Sequence, residues 1–244
     1  MISQIKSKNL FYSALLLLFP IIIQGQDFRY APENKGVLVT NTYYCLDYST
    51  EHKQANWVYY MLTQTHITGS ASRAFSFKDC RQGDIFSATN KDYNRSGYDK
   101  GHLCPAADMK LSKVAMKETF QMWNMSPQVP SFNRGKWADL EALARSYIKD
   151  LTDTLFVVTG PVFINNQGTI GKGEVTVPGF YYKAIYFPKK GGIGFLLPNK
   201  KIDGTLQGWQ VSIELLEALT GIDFFPQLPK DIQAKIESQI IWWE

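Results

Sequence analysis

Asp99-Lys100-Gly101-His102 is followed in the chain by Asn124-Met125-Ser126-Pro127-Gln128 and then by Asn133-Arg134-Gly135-Lys136-Trp137-Ala138-Asp139-Leu140-Glu141. One histidine, two asparagines and one glutamate come in an order suited to metal-assisted phosphodiester cleavage. That chemistry needs an activated water, neutralisation of charge on the phosphoryl oxygens and stabilisation of the leaving oxygen. Neutral imidazole suits the first task, because its pKa lies near working pH. His102 is one of three histidines in the chain. Gly101 before it lets backbone approach closely, whereas His52 and His66 have no such frame. Asn133, Trp137 and Glu141 are four apart, which places them on one face of a helix. Glu141 therefore interrupts an apolar stripe, where a carboxylate is costly unless paired, hydrated or near a metal. Asn133 could be only a helix cap. With Glu141 it offers the hard oxygen donors that suit a hydrated divalent cation such as Mg²⁺.

Outward from this stretch, strand and helix patterns alternate irregularly. Residues 36–41 and 43–48, and then 57–63, carry the β-branched and aromatic enrichment of strands. Residues 81–97 are polar and rich in Gly and Asn, which predicts an irregular loop. Ser112 is placed to cap a helix running to Trp123. Trp137, Leu140, Ala144, Ile148 and Leu151 recur at three-to-four spacing, predicting a helix from Asn133 to Leu151. Strands are predicted at 155–160, 181–187 and 194–197, then a helix from Val211 to Leu219 stopped by Gly221. Strands in runs with helices between them indicate an α+β fold.

The chain has 244 residues, 45% apolar and 20% charged, with no repeat or linker, so a single domain over 27–244 is expected. Lys6 and Lys8 precede an apolar run from Leu10 to Ile23, and Gly25 supplies a small residue for cleavage. Residues 1–25 therefore read as a signal peptide and the protein as secreted or periplasmic. The run is short for a membrane span, so no stable membrane association is expected after cleavage; an uncleaved anchor is the alternative. The formal charge of +4 includes Lys6 and Lys8, and without them 24 basic residues face 22 acidic ones. Bulk charge alone therefore does not argue for nucleic-acid binding. Export permits one disulfide among Cys45, Cys80 and Cys104, with Cys80–Cys104 the favoured pair because it flanks the motif. Three buried thiols are the alternative.

The ordered motifs, with residues 93–108 around the histidine, resemble the DNA/RNA non-specific endonuclease family. That family includes Serratia-type nuclease and mitochondrial endonuclease G. The similarity runs from about Tyr43 to Pro226. It implies a central antiparallel sheet flanked by helices and containing a ββα-metal motif. It also implies roles: His102 as general base, Asn133 as the direct protein ligand of Mg²⁺ (Mn²⁺ or another divalent cation is possible), and Glu141 as holder of the metal's waters. Asn124 would brace the histidine or the metal-water network. Arg73 is the best match for an arginine facing the scissile phosphate; its alternative is an ordinary surface residue. Lys100 and Arg134 are expected to contact substrate phosphates. Lys100 stands where the family commonly has arginine, which removes bidentate geometry.

The expected activity is Mg²⁺-dependent cleavage of DNA and RNA with little sequence preference, leaving 5′-phosphate ends, by a monomer or a homodimer. A non-catalytic nucleic-acid-binding module and a phosphodiesterase of small substrates are the alternatives.

Overall fold

The computed structural model describes residues 27–74 and 76–243. The expected signal peptide lies outside the described residues. Seven strands form the central sheet. They are interrupted in chain order by a separate hairpin. Val37–Thr40 (β1), Tyr44–Ser49 (β2) and Gln54–Thr63 (β3) come first, then the hairpin strands Asp99–His102 (β4) and Met125–Gln128 (β5). Thr154–Val162 (β6), Phe180–Phe187 (β7), Gly191–Pro198 (β8) and Gln210–Val211 (β9) complete the set. The sheet order is β1-β2-β3-β6-β7-β8-β9, and every pairing is antiparallel.

The strands are apolar on both faces because helices cover both. Along β3, Val58, Tyr60 and Leu62 enter one core with Leu103, Trp137 and Leu140, while Trp57 and Tyr59 enter the other with Phe224 and Ile236. This is the period of two expected of a strand. The same alternation on β7 sends Tyr181 and Ile185 to the first core and Tyr182 and Ala184 to the second.

Four helices carry most of the covering. Lys113–Thr119 (α1) is capped by Ser112, whose Oγ accepts the Ala115 N–H at 3.0 Å, as expected. It stops short of the predicted Trp123, where the chain turns towards β5. Ala138–Ser146 (α2) follows a π-helical turn over Asn133–Trp137, in which Gly135 leaves the helical region. The predicted extension of this helix to Leu151 is not found. Asp153 instead accepts the N–H groups of Lys149 and Asp150 at 2.7 and 3.0 Å, an alternative to helical bonding. Leu151 is 80% exposed and belongs to no apolar stripe. Ile213–Thr220 (α3) ends at Gly221, which takes the left-handed conformation (φ 67°) and donates its N–H to Glu217. Lys230–Ser238 (α4) packs beside it over the second core.

Candidate active site

α1 lies in the connection between β4 and β5, and β5 leads through the π-turn into α2, so a ββα unit lies against the first face of the sheet. His102 pairs with Met125 and Gly101 with Ser126 across this hairpin. A Cβ at residue 101 would meet the Gln128 side chain at 2.2 Å, so glycine is required there by close approach. Trp137 ties the two parts together by donating its indole N–H to the His102 carbonyl at 3.4 Å.

Arg73, Lys100, His102, Asn133 and Glu141 line one cleft of about 220 Å³, with Pro105, Ala106 and Ala107 forming another part of its wall. A larger hollow of about 250 Å³ between Asp47, Asn56 and Trp57 is not a competing site on chemical grounds. Its buried Asp47 already accepts from the Gly36 N–H and from Asn56.

His102 is 8% exposed, and its Nε2 is buried without a hydrogen-bond partner. Its ring meets Phe120 edge-on at 4.8 Å and lies 5.8 Å from Phe77. Burial, assisted by the positive charge of Arg73, lowers its pKa to about 3, so the imidazole is neutral at pH 7. Arg73 lies with its guanidinium carbon 5.1 Å above the Phe120 ring. Lys100 is held between Phe77 and Tyr93, its Nζ 5.0 and 5.7 Å from the two ring centres.

Asn133 donates from Nδ2 to Asp99 Oδ2 at 2.9 Å. The amide oxygen is therefore the end of Asn133 left for the cleft. Glu141 is half-buried. Desolvation raises its pKa to about 8, against the attraction of Lys183 and Arg145 and with the repulsion of Asp108. An amide oxygen and a carboxylate beside an unpartnered imidazole nitrogen fit a hard divalent cation with its waters.

A buried charged network stands behind Glu141. Asp108 is inaccessible to solvent; it accepts from Arg145 Nη1 at 2.7 Å and from the Tyr60 hydroxyl at 3.1 Å. Lys183, from the middle of β7, is also fully buried and sits 4.9 Å from the Trp137 ring centre. Burial lowers its pKa, while Glu141 and Asp108 raise it. Neither Arg145 nor Lys183 is among the residues that sequence patterning selects. The available signal was Lys183 itself, a charge on the inward face of an otherwise apolar strand.

Two expected site residues do not line the cleft. Asn124 holds backbone: its Oδ1 accepts the Cys104 N–H at 2.8 Å, and its Nδ2 donates to the Cys104 and Thr119 carbonyls, both at 2.9 Å. Its amide thus braces the chain just beyond His102, with backbone groups as its hydrogen-bond partners. Arg134, expected on substrate phosphate, donates to Asp99 through two of its three nitrogens, Nε to Oδ2 at 2.9 Å and Nη2 to Oδ1 at 2.7 Å. All three cysteines are free, so the favoured Cys80–Cys104 pair is not formed. Cys104 is buried in the first core, whereas Cys80 donates to the Lys78 carbonyl at 3.1 Å.

The fold and cleft define an α+β protein built around a ββα-metal unit. Residues 27–231 match the family model described as DNA/RNA non-specific endonuclease. "Nuclease EXOG, mitochondrial" of Xenopus laevis is 38% identical over 208 residues, covering 77% of this chain and 58% of that protein. "Nuclease C1" of Cunninghamella echinulata is 36% identical, with 76% of this chain and 81% of that protein covered. Human "Endonuclease G, mitochondrial" is 31% identical, with 84% and 74% covered. A solved structure titled as the EndoG/EndoGI complex, concerning EndoG inhibition, superposes with a TM-score of 0.73 at 29% identity. It covers 80% of this chain and 88% of that one. The chain belongs to the DNA/RNA non-specific endonuclease family. Its match spans little more than half the length of the Xenopus laevis relative.

Proposed function

We propose that this chain is a divalent-metal-dependent endonuclease that hydrolyses DNA and RNA with little sequence preference. The observation that carries the reading is that His102, whose Nε2 is buried without a hydrogen-bond partner, lines the same cleft as Asn133 and Glu141. His102, neutral at pH 7, takes a proton at Nε2 from the attacking water. The water oxygen forms a bond to phosphorus, the bond to the 3′ oxygen breaks, and that oxygen leaves with a proton from solvent. The fragments carry 5′-phosphate and 3′-hydroxyl ends. Arg73 and Lys100 supply positive charge to the phosphoryl oxygens, Lys100 as a point charge. Asn133 would hold Mg²⁺, or Mn²⁺ in its place, through its amide oxygen, and Glu141 would orient the ion's waters. When bound, the ion supplies charge neutralisation at the phosphoryl and leaving oxygens.

Lys6, Lys8 and the apolar run after them support export to the periplasm or the medium. N-terminal sequencing of protein recovered from cell fractions tests this; an intact Met1 in the cytoplasmic fraction contradicts it.

Plasmid DNA, RNA and a small phosphodiester incubated with the purified chain in Mg²⁺ or EDTA test the activity. Cutting of both polymers with Mg²⁺ and not with EDTA is expected. Binding that survives EDTA without cutting under any divalent ion supports a binding module instead. Preference for the small diester supports a phosphodiesterase.

A further inference from the structure

Asp99 engages the Arg134 guanidinium in a two-point fork through Nε and Nη2. The same carboxylate receives the side-chain N–H of the neighbouring Asn133. Consecutive residues on a regular helix point in different directions. Here they converge on one acceptor because the turn is π-helical and Gly135 departs from helical geometry (φ −113°, ψ −110°).

The two ends of an asparagine amide are nearly isosteric, so a partner must choose which faces a ligand. A carboxylate only accepts, so it selects the NH₂ end and turns the oxygen away. That selection lasts only while Asp99 stays within reach of the Asn133 amide. Arg134 holds the carboxylate in place, since Oδ1 and Oδ2 both accept from the guanidinium. An exposed ion pair ordinarily contributes little. This one has bidentate geometry and ends on a carboxylate whose side chain is 18% exposed.

We propose that Arg134 is a positioning residue that locks Asp99 so that Asn133 presents its amide oxygen, not its nitrogen, to a divalent cation. The proposal rests on the functional reading above. It assigns Arg134 no contact with substrate.

Mn²⁺ binding to the purified chain without nucleic acid, followed by electron paramagnetic resonance, tests it together with the salt dependence of DNA binding. Arg134→Ala is expected to weaken Mn²⁺ by about tenfold, the low end for partners that orient metal ligands. Arg134→Lys keeps the charge but not the fork and is expected to restore little of that loss. The slope of log binding constant against log salt should match the parent in both variants. In an Asp99→Asn background, Arg134→Ala should weaken Mn²⁺ no further, since the route is already cut.

Parental Mn²⁺ affinity in Arg134→Ala overturns the proposal while leaving the functional reading intact. So does a salt slope shallower by about 0.9, which marks a lost phosphate contact on duplex DNA. A parent that binds no Mn²⁺ overturns both.

Discussion

His102 carries two opposing demands, a polar nitrogen that the proposed mechanism uses and a ring enclosed by Phe77 and Phe120. Enclosure keeps it neutral, with consequences for folding as well as for cleavage. Its folded pKa, about 3, lies below the ordinary 6.5. Between those values the unfolded chain binds more protons, so this residue costs stability as pH falls from 6.5 towards 3. Urea unfolding in EDTA at pH 4 and pH 7 should show a smaller acid loss for His102→Gln than for the parent. Equal losses would contradict the burial argument. Glu141 has the opposite sign: its folded pKa of about 8 exceeds the ordinary 4.5, so its contribution declines as pH rises through that interval. Lys183 opposes that decline by favouring the charged carboxylate. Lys183→Met would leave Asp108 and Glu141 with less compensation in the interior. A loss of about 3 kcal/mol is expected from removing one member of such a network. The loss should shrink when Glu141→Gln is added, as a double-mutant cycle measured by urea unfolding would show.

At the scale of elements, hairpin and helix meet through side chains that grip backbone. Asn124 makes three buried hydrogen bonds around Cys104 and Thr119. Asn124→Ala orphans the Cys104 N–H and two carbonyls, each costing about 1–3 kcal/mol when unsatisfied. The expected result is a lower urea midpoint with reduced turnover and little change in Mn²⁺ affinity, because this side chain bonds backbone and does not line the cleft. A variant that folds like the parent but has lost Mn²⁺ binding would contradict that assignment. The distinction was not legible in the chain, since asparagine looks the same whether it serves backbone or metal. His102, Asn133 and Glu141 were legible, because the spacing of the last two along a helix survives the π-turn well enough to keep both on the cleft. The turn itself was not legible: Gly135 gives no periodic signal, yet it lets Asn133 and Arg134 share Asp99.

Across the whole molecule, local pattern identified the long strands of the sheet and the helices after Ser112, Asn133 and Ser212. It missed Lys230–Ser238, Met125–Gln128 and the strand at Gln210–Val211, and it gave no strand its neighbours. β3 lies beside β6, and Tyr60 faces Val157, 97 positions further along the chain, across that junction. No local run of residues encodes this pairing; the burial of both sheet faces does. Lys183 illustrates the same limit, because its partners come from β3 (Tyr60), the segment after β4 (Asp108) and α2 (Glu141 and Arg145), all distant from it in the chain. The long excursion between β3 and β6 holds nearly all the proposed chemistry and lies on one face of the sheet. α3 and α4 cover the opposite face and contribute nothing to the cleft.

The most direct measurement is the single-turnover rate of DNA cleavage by His102→Ala at saturating Mg²⁺, beside the Mn²⁺ affinity of the same protein. The expected result is a rate reduced by about 10²–10⁴, the usual contribution of a general base, with Mn²⁺ bound as in the parent. Cleavage at the parental rate would contradict the assignment of His102 as the base.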